Sequence, residues 1–455
     1  MIKNIDTIVS KNIGEMEWVL KEFAKEAVKL DDKGELTITT LEKLAGKTIK
    51  SLIQIVLLMM GGFLSNVVRS EVNRICSCGK KMGISKRDVT TRILSMFGYV
   101  PVTRDMLFCR RCRKGQGVFD KELEIYGEHR ITKGMTEIMT YMSQLVPSFE
   151  RATEAIKKLL NIEVSPTQAQ IISEEVGKRV FEKEKTKAEL AYERPEDAAP
   201  QEVVKNLKEG RLYILTDGSQ LNTRTENNKG STWKEMKLGL VFKDSDVIKR
   251  KDGSQIITKK EYVSYLGSVG DFKKFLFAAA ARAGYGKVKE IVVIGDGAQW
   301  IWNMVNEVFP DAVEILDYFH LNENVNDYAK FLYPDNEVKR KKWVKSILDC
   351  VLSGKVDKAV RLVEEKGSNN LPDNIVNLCN YIKNNEHRID YKNYKEKGYY
   401  IGSGSIESAN KTVIQQRMKQ SGMRWSINGG QYIAALRTKH ESNKWDDVVE
   451  EIFAS

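Results

Sequence analysis

Three carboxylates stand where a folded chain can bring them together. Asp217 follows the apolar run 211–216 (RLYILT), Asp296 follows 291–294 and Gly295, and Glu407 lies in the first turn of a helix in IGSGSIESANK. Each Asp precedes a glycine at the end of a short apolar strand, so its side chain is expected to project from a sheet edge. Acidic residues from two strands and a helix can converge on divalent cations. Two ions about 3.5–4 Å apart activate a water or hydroxyl and stabilise the leaving oxygen in phosphoryl transfer. Mg2+ (or Mn2+) takes such hard oxygen ligands together with water. Other readings fit parts of the pattern. Asp-Gly is a common turn pair. Glu407 can serve the helix dipole, worth ~0.3–1 kcal/mol, or pair with Lys411, worth ~0.2–0.5 kcal/mol. Two carboxylates alone also suit a glycoside hydrolase.

Four of the six cysteines form a second group, Cys76-x-Cys78 and Cys109-x-x-Cys112, with 30 residues between the pairs. Zinc takes four soft ligands in a tetrahedron, and a hairpin between two close pairs would assemble them. Two pairs of ordinary thiols or a redox site are the alternatives. The C-x-C pair is tighter than the usual C-x-x-C, which leaves Cys76 the least certain ligand. Cys350 and Cys379 stand alone and read as buried apolar residues.

The elements that must carry these groups fall into segments. Residues 12–30 and 38–69 read as helices, the latter as one or two, within an N-terminal helical region 1–71. Residues 76–112 read as β-rich, with strands 91–97 and 100–108 around a turn at Gly98, in a zinc-ribbon-like segment 72–118. Residues 130–185 read as helical. Within them, 149–160, a turn at Asn161–Val164 and a helix starting at Ser165-Pro166-x-Gln168 form a helix-turn-helix candidate, with Ser165 as cap and Gln168, Gln170 and Ser173 near the helix start. Such helix pairs also occur in proteins that never touch DNA. Residues 186–208 are charged, contain Pro195 and Pro200, and read as a linker. Beyond it, strands are expected at 211–216, 237–242, 262–269, 291–294 and 312–316, with helices at 271–283 and 298–308. That order predicts an α/β fold with a mixed sheet covered by helices. Residues 322–396 read as helical and polar, and a Gly-rich break at 402–404 precedes a helical stretch at 405–440.

Length and charge bound the function. The chain has 455 residues, 73 Lys/Arg and 62 Asp/Glu, a net charge of +11. The excess is local. Residues 72–115 hold eleven Lys/Arg against Asp88 and Asp105, a net +9, and residues 405–440 hold six against Glu407, a net +5. Everything else sums to −3. A ribbon this lopsided suits phosphate contacts; a solvated charged face is the plainer reading. Asp6, Glu15, Glu17 and Glu22 interrupt the apolar stretches of the first 30 residues, so no signal peptide is expected. The apolar run 52–68 is at the short limit for a membrane span and reads as a buried core helix. The expectation is a cytoplasmic, nucleoid-associated protein with no membrane partner.

On the motifs DGS at Asp217, WKEMKLG at 233–239, GDGAQWIW at 295–302, LDYFH at 316–320 and IGSGSIESANKTVIQQRMKQSGMRWS at 401–426, the chain resembles bacterial insertion-sequence transposases of the DDE class, the ISKra-type family related to the Mutator-like branch. The resemblance covers residues 209–455 well and the N-terminal part more loosely. It implies an RNase H-like catalytic domain over 209–455 with Asp217, Asp296 and Glu407 as the metal triad and a helical insertion at about 322–396. It implies that Asp317-x-x-His320 lies beside the site and supports the triad, with Asp317 as the rival to Asp296. A satisfied core histidine is the alternative for His320. Expected partners are double-stranded DNA, both element terminal repeats and target, bound by a homo-oligomer. Lys411, Arg417, Lys419, Arg424 and Trp425 would lie along DNA near the break, and Arg110, Arg111 and Arg113 on the zinc ribbon would hold the ends. Mg2+ (or Mn2+) and structural Zn2+ on Cys76, Cys78, Cys109 and Cys112 are the implied cofactors. A DNA-binding regulator with an inert nuclease domain, and a nuclease that cuts without joining, remain as alternatives.

Overall fold

The structure is a computed structural model that describes residues 5–65, 74–118, 125–126, 129–195, 210–225, 230–252, 255–366, 371–372, 374–402 and 404–454. Contacts divide the chain into two units, Met1–Ser173 with Ile452–Ser455, and Glu174–Glu451.

In the first unit, α1 (Ile5–Asp32) and α2 (Ile38–Ser65) pack on each other. Thr37 caps α2, its Oγ1 accepting the Thr40 N–H at 3.2 Å. The segment expected as one or two helices is one, and it is not a buried core helix. Only 17 % of its most apolar stretch is buried, and by length and composition alone it could cross a membrane. One side of α2 packs on α1 and on a hairpin, where Leu57 meets Ile93, Val100 and Val102. Ile49, Val56 and Leu58 face outward.

The hairpin is β1 (Gly83–Ser95) and β2 (Gly98–Cys109), antiparallel, with β3 (Lys114–Gly117) on its outer edge. The strands are longer than expected, and the turn falls at 96–97, closed by the Ser95–Gly98 pair, rather than at Gly98. Register shifts near Ile84, Lys86 and Val89 break the two-residue alternation there, which hid the start of β1 from a pattern reading. Two short strands, β4 (Ile125–Tyr126) and β5 (Ile131–Thr132), extend the sheet on the β1 side.

Three helices follow: α3 (Lys133–Leu145), α4 (Phe149–Leu160) and α5 (Pro166–Glu193). Asn161 closes α4 at φ +57°, a left-handed conformation that Asn tolerates. Ser165 caps α5 as expected, accepting the Gln168 N–H at 3.1 Å. The helix continues to Glu193, so the expected linker at 186–208 starts later. Ala188 is buried, and the Tyr192 ring packs edge-on against Phe277, giving this charged segment a partner that its own pattern did not reveal. Residues 196–208 lie outside the described residues.

In the second unit a five-stranded mixed sheet is built from β6 (Arg211–Arg224), β7 (Ser231–Lys243), β10 (Glu261–Leu266), β11 (Glu290–Gly295) and β12 (Val313–Leu316). A small hairpin, β8 (Val247–Lys249) and β9 (Gln255–Ile257), stands outside it. The order across the sheet is β10-β7-β6-β11-β12. The first three strands pair antiparallel, while β11 runs parallel to both β6 and β12. The central strands are buried runs, Leu212–Leu215 and Val292–Ile294, as a sheet covered on both faces requires. Helices α6 (Val269–Ala283), α7 (Gln299–Val308) and α8 (Tyr318–Leu332) alternate with the later strands. Beyond them α9 (Glu337–Leu352), α10 (Val356–Glu364), α11 (Leu378–Asn384) and α12 (Tyr391–Glu396) make up the expected helical segment, which starts at Tyr318 rather than 322. The expectation of an α/β chain with a mixed sheet is met.

The helical stretch expected over 405–440 is made of several pieces. It runs as α13 (Gly404–Ala409), a π-helical turn (Asn410–Gln415) and α14 (Gln416–Met418), then a loop and α15 (Ile427–Glu441), with α16 (Trp445–Phe453) after it. Helix α15 covers the exposed edge of β10. The Gln431 Oε1 accepts the Leu266 N–H at 2.7 Å, and the Ser442 Oγ accepts the Tyr262 N–H at 2.9 Å. Edge N–H groups left open would invite pairing with another chain.

A buried charge network joins α5, β10, α6 and α15. Glu184 faces Lys439 at 3.1 Å and Arg282 at 3.8 Å; Arg282 also bonds Glu261, which holds Lys444 at 2.6 Å. Burial would raise the Glu184 pKa, but Lys439, Arg282 and Lys187 outweigh it and hold it at about 2. Glu184→Gln is therefore expected to cost about 3 kcal/mol at pH 7, because it strands buried cations. The depressed pKa sets the sign. This contribution is complete above the ordinary value of 4.5 and is lost as pH falls toward about 2. Denaturant melts of both proteins across that range should converge at the acid end.

Candidate metal centres

The strand that carries the first carboxylate does not end there. β6 runs through Asp217, paired with Leu238 on β7, to Arg224. Asp217 therefore rises from a mid-strand position, not a sheet edge. Gly218 is not a turn residue either. A Cβ there would collide with the Glu235 carboxyl group across the hairpin. Asp296 does end its strand as expected, just past β11, and Gly297 takes φ +92°, where a side chain would also press on Leu316 and Tyr381. Asp317 ends β12 and caps α8, its Oδ1 accepting the Phe319 N–H at 3.0 Å. His320 follows one turn on.

These groups form two overlapping sets. Ligand atoms of Asp217, Asp296 and His320 all lie within 4.8 Å of one another, and so do those of Asp317, His320 and Glu407. His320 is the shared member. Glu407 thus closes with Asp317 and His320, a different grouping from the expected triad. The backbone holds the carboxylates in place: the Gly218 N–H donates to Asp217 Oδ1 at 2.6 Å and the Ala298 N–H to Asp296 Oδ1 at 2.8 Å. Burial, then the charge of Asp296, lifts the Asp217 pKa to about 6, against the Gly218 N–H, His320 and Asn410. Burial and Asp317 also raise Glu407. Acids pushed upward by one another are what an added cation would relieve.

The donor set fits a hard divalent ion. Its carboxylate oxygens suit Mg2+ or Mn2+, and the His320 Nε2 is buried with no hydrogen-bond partner among the described residues, 3.7 Å from Asp317 Oδ2. An unfilled buried ring nitrogen among four carboxylates calls for a ligand.

Sequence reasoning missed three neighbours. Asn410 donates its amide to Asp217 Oδ2. The Tyr381 hydroxyl donates to the Asp296 carbonyl at 2.9 Å, and burial followed by Asp296 pushes its pKa well up. Lys237, opposite Gly218 in the hairpin, is buried and bonds Glu235 at 2.8 Å. Spacing could have flagged only Asn410, three residues after Glu407 on one helical face.

The cysteines meet in the first unit. The Sγ atoms of Cys76, Cys78, Cys109 and Cys112 all lie within 4.8 Å of one another. Cys76 stands in the set despite the tight C-x-C spacing. The turn at Gly79 lets the Cys76 N–H and carbonyl bond Lys80 and Gly79 at 2.9 and 2.8 Å. The Cys78 and Cys109 sulfurs are 3.7 Å apart, too far for a disulfide. That separation matches the ~3.8 Å edge of a tetrahedron with ~2.3 Å zinc–sulfur bonds. The backbone N–H of Cys78 pulls the Cys76 thiol down to about 6, while Cys78 pushes Cys112 up to about 12. Cys350 is buried, as expected; Cys379 is half-buried, 3.4 Å from Glu364.

The basic residues divide by environment. Arg110, Arg111 and Arg113 are exposed. Lys80, Lys81, Arg110 and Arg111 line a groove of about 520 Å³ beside the cysteines. Lys411, Lys419 and Arg424 are exposed too, and Lys419 reaches Ser219 at 3.5 Å. Arg417 and Trp425 are not on the surface, which corrects their expected place along DNA. Arg417 is 1 % exposed and lies over the Trp425 ring, whose Nε1 donates to the Met418 carbonyl at 2.9 Å. The loop after α14 folds back and buries both. Ser173 is likewise buried, while Gln168 and Gln170 are half-buried.

An α/β scaffold thus carries two separate groups of side chains that could hold a metal ion, one hard and one soft. The chain belongs to the uncharacterised protein family UPF0236, whose model matches residues 36–449. No curated protein matches it.

Proposed function

We propose that this protein is an insertion-sequence transposase with an RNase H-like catalytic domain, cutting DNA at element ends and joining them to target DNA. The observation that carries the reading is the pair of carboxylate sets sharing His320, raised from separate strands and a late helix. The strand order supports it. Three antiparallel strands are followed by two parallel ones, and Asp217 on the central strand lies next to Asp296, just past its parallel neighbour, so two acids come from adjacent strands of one mixed sheet.

Bound Mg2+ or Mn2+ would supply activation of an oxygen nucleophile and neutralise charge at phosphorus. Asp217 and Asp296 would hold the cations, with Glu407 and Asp317 as further ligands. The Gly218 and Ala298 N–H groups keep the first two carboxylates oriented. His320, common to both sets, would add a ring nitrogen to either. In the first step a water oxygen joins phosphorus, the P–O3′ bond breaks and a 3′-hydroxyl is freed. In the second, that oxygen attacks a target phosphorus and the target P–O3′ bond breaks. One phosphodiester replaces another, so no nucleotide cofactor or protein nucleophile is required. Cys76, Cys78, Cys109 and Cys112 would hold a structural zinc, and the turn they fix carries Arg110, Arg111 and Arg113 toward DNA.

The test is an incubation with Mg2+ and linear DNA carrying the sequences that flank the gene on both sides. Nicked ends and joined target products are expected. Cutting without joining would favour a nuclease, and tight end binding with no cutting a regulator.

Burial separates two kinds of basic residue. Lys419→Gln and Arg424→Gln should each weaken DNA binding and flatten its log–log salt slope by about 0.9. Arg417→Gln should lower thermal stability and leave that slope unchanged. Filter-binding titrations over a salt series, with melts alongside, make the comparison.

A further inference from the structure

We propose that Asn410 is the positioning residue of the carboxylate site, orienting Asp217 toward a hydrated Mg2+ or Mn2+ ion and offering that ion a neutral oxygen. The inference rests on the reading of Asp217 as a metal ligand.

Both oxygens of Asp217 are held. Oδ1 takes the Gly218 N–H at 2.6 Å, and Oδ2 takes the Asn410 amide. A carboxylate only accepts, so the amide must present its NH2 there, and its carbonyl oxygen points elsewhere. Asn410 is 5 % exposed, and that Oδ1 is buried with no hydrogen-bond partner among the described residues. It sits on the same amide carbon as the nitrogen that touches Asp217, so an unsatisfied hard oxygen lies beside the carboxylates. Hard oxygens are what Mg2+ and Mn2+, or the waters they carry, accept as partners.

Chemistry explains the residue type. An Asp at 410 would repel Asp217. A Lys or Arg would neutralise it and compete with the cation. A neutral amide orients the carboxylate and leaves its charge for the metal.

Position adds a second role. Asn410 opens the π-helical turn Asn410–Gln415, and Glu407 lies three residues earlier in α13. π-turns often mark functional positions in helices. The bond to Asp217 thereby ties the segment carrying Glu407 to the central strand. One contact sets the register between acids that are 190 positions apart in sequence.

The experiment is Mn2+ titration of the full-length protein without DNA, with free Mn2+ read by electron paramagnetic resonance. Wild type, Asn410→Ala, Asn410→Ser and Asp217→Asn are compared, with melts in EDTA and in Mn2+. Asn410→Ala is expected to lose about 10–100-fold in Mn2+ affinity, as residues that orient ligands do. Its melting temperature in EDTA should stay near wild type, and its Mn2+-induced rise should shrink. Asn410→Ser, which keeps a short oxygen, should fall between. Wild-type affinity in both Asn410 variants would overturn the proposal, as would a loss matched by a fall in the EDTA melt of both. If Asp217→Asn binds Mn2+ normally, the metal reading and this inference fail together. A protein that shows the expected Mn2+ pattern yet cuts no DNA refutes the transposase and leaves the role of Asn410 standing.

Discussion

Replacing Asp217 or Asp296 with alanine is expected to lower DNA-end cleavage by about a thousandfold or more, with end binding retained. The magnitude follows from what the site must stabilise. Metal assistance at a transferring phosphoryl group is worth several kcal/mol, and each ~1.4 kcal/mol is a factor of ten. Asp217 and Asp296 come from adjacent parallel strands and share one set of ligand atoms with His320, so losing either opens that set. Folding should survive the change. Asp217 is half-buried beside another acid that, with burial, drives its pKa to about 6, so its ionised form adds no stability in the absence of metal. Melts in EDTA should therefore not fall for Asp217→Ala. A variant that cleaves within tenfold of wild type while folded would remove the carboxylates from the chemistry.

Removing zinc is expected to have the other large effect, and on a different part of the molecule. The purified protein should contain one zinc per chain, released on thiol modification and detected with a chromogenic chelator. Structural zinc binding is worth roughly 10–16 kcal/mol in small domains, as much as the whole stability of many domains. The four thiols hold the base of the β1–β3 hairpin, where Met82, Leu107 and Val118 form a small core around Cys76 and Cys109. A core that small cannot replace the metal. Cys109→Ser should therefore abolish zinc content, expose residues 74–118 to protease and weaken end binding. Mn2+ binding at the carboxylates should persist. Cys350→Ser and Cys379→Ser should keep full zinc and serve as controls.

How much of this was legible in the chain depended on how local each signal was. The apolar runs 211–216 and 291–294 and the Ser165 cap are local patterns, and each lies in the element it suggested, while the cysteine pairs come together at one end of the hairpin. β6 was read too short, because its second half (Asp217–Arg224) is polar and forms a strand only by pairing with β7. The reading of α5 likewise stopped early, since Ala188 and Tyr192 find their partners far along the chain. The π-turn at Asn410 carries no pattern of its own, so only the three-residue spacing from Glu407 pointed to the amide that bonds Asp217.

Charge shows the division best. Composition placed net +9 in residues 72–115 and +5 in 405–440, and treated both alike. In the first segment Arg104 is the one buried basic residue, and the rest keep access to solvent. In the second, Arg417, Arg437 and Lys439 are buried. Arg437 pairs with Glu441, and Lys439 with Glu184 and Asp447. By itself the sequence determined the residue types, the ligand spacing, most of the elements and the sum of charges, because these depend on neighbours a few positions apart. Only the tertiary structure decided which carboxylates meet, that His320 joins their two sets, and which cations face water. Those outcomes depend on contacts between residues scores of positions apart, where burial against a partner element outweighs any local preference.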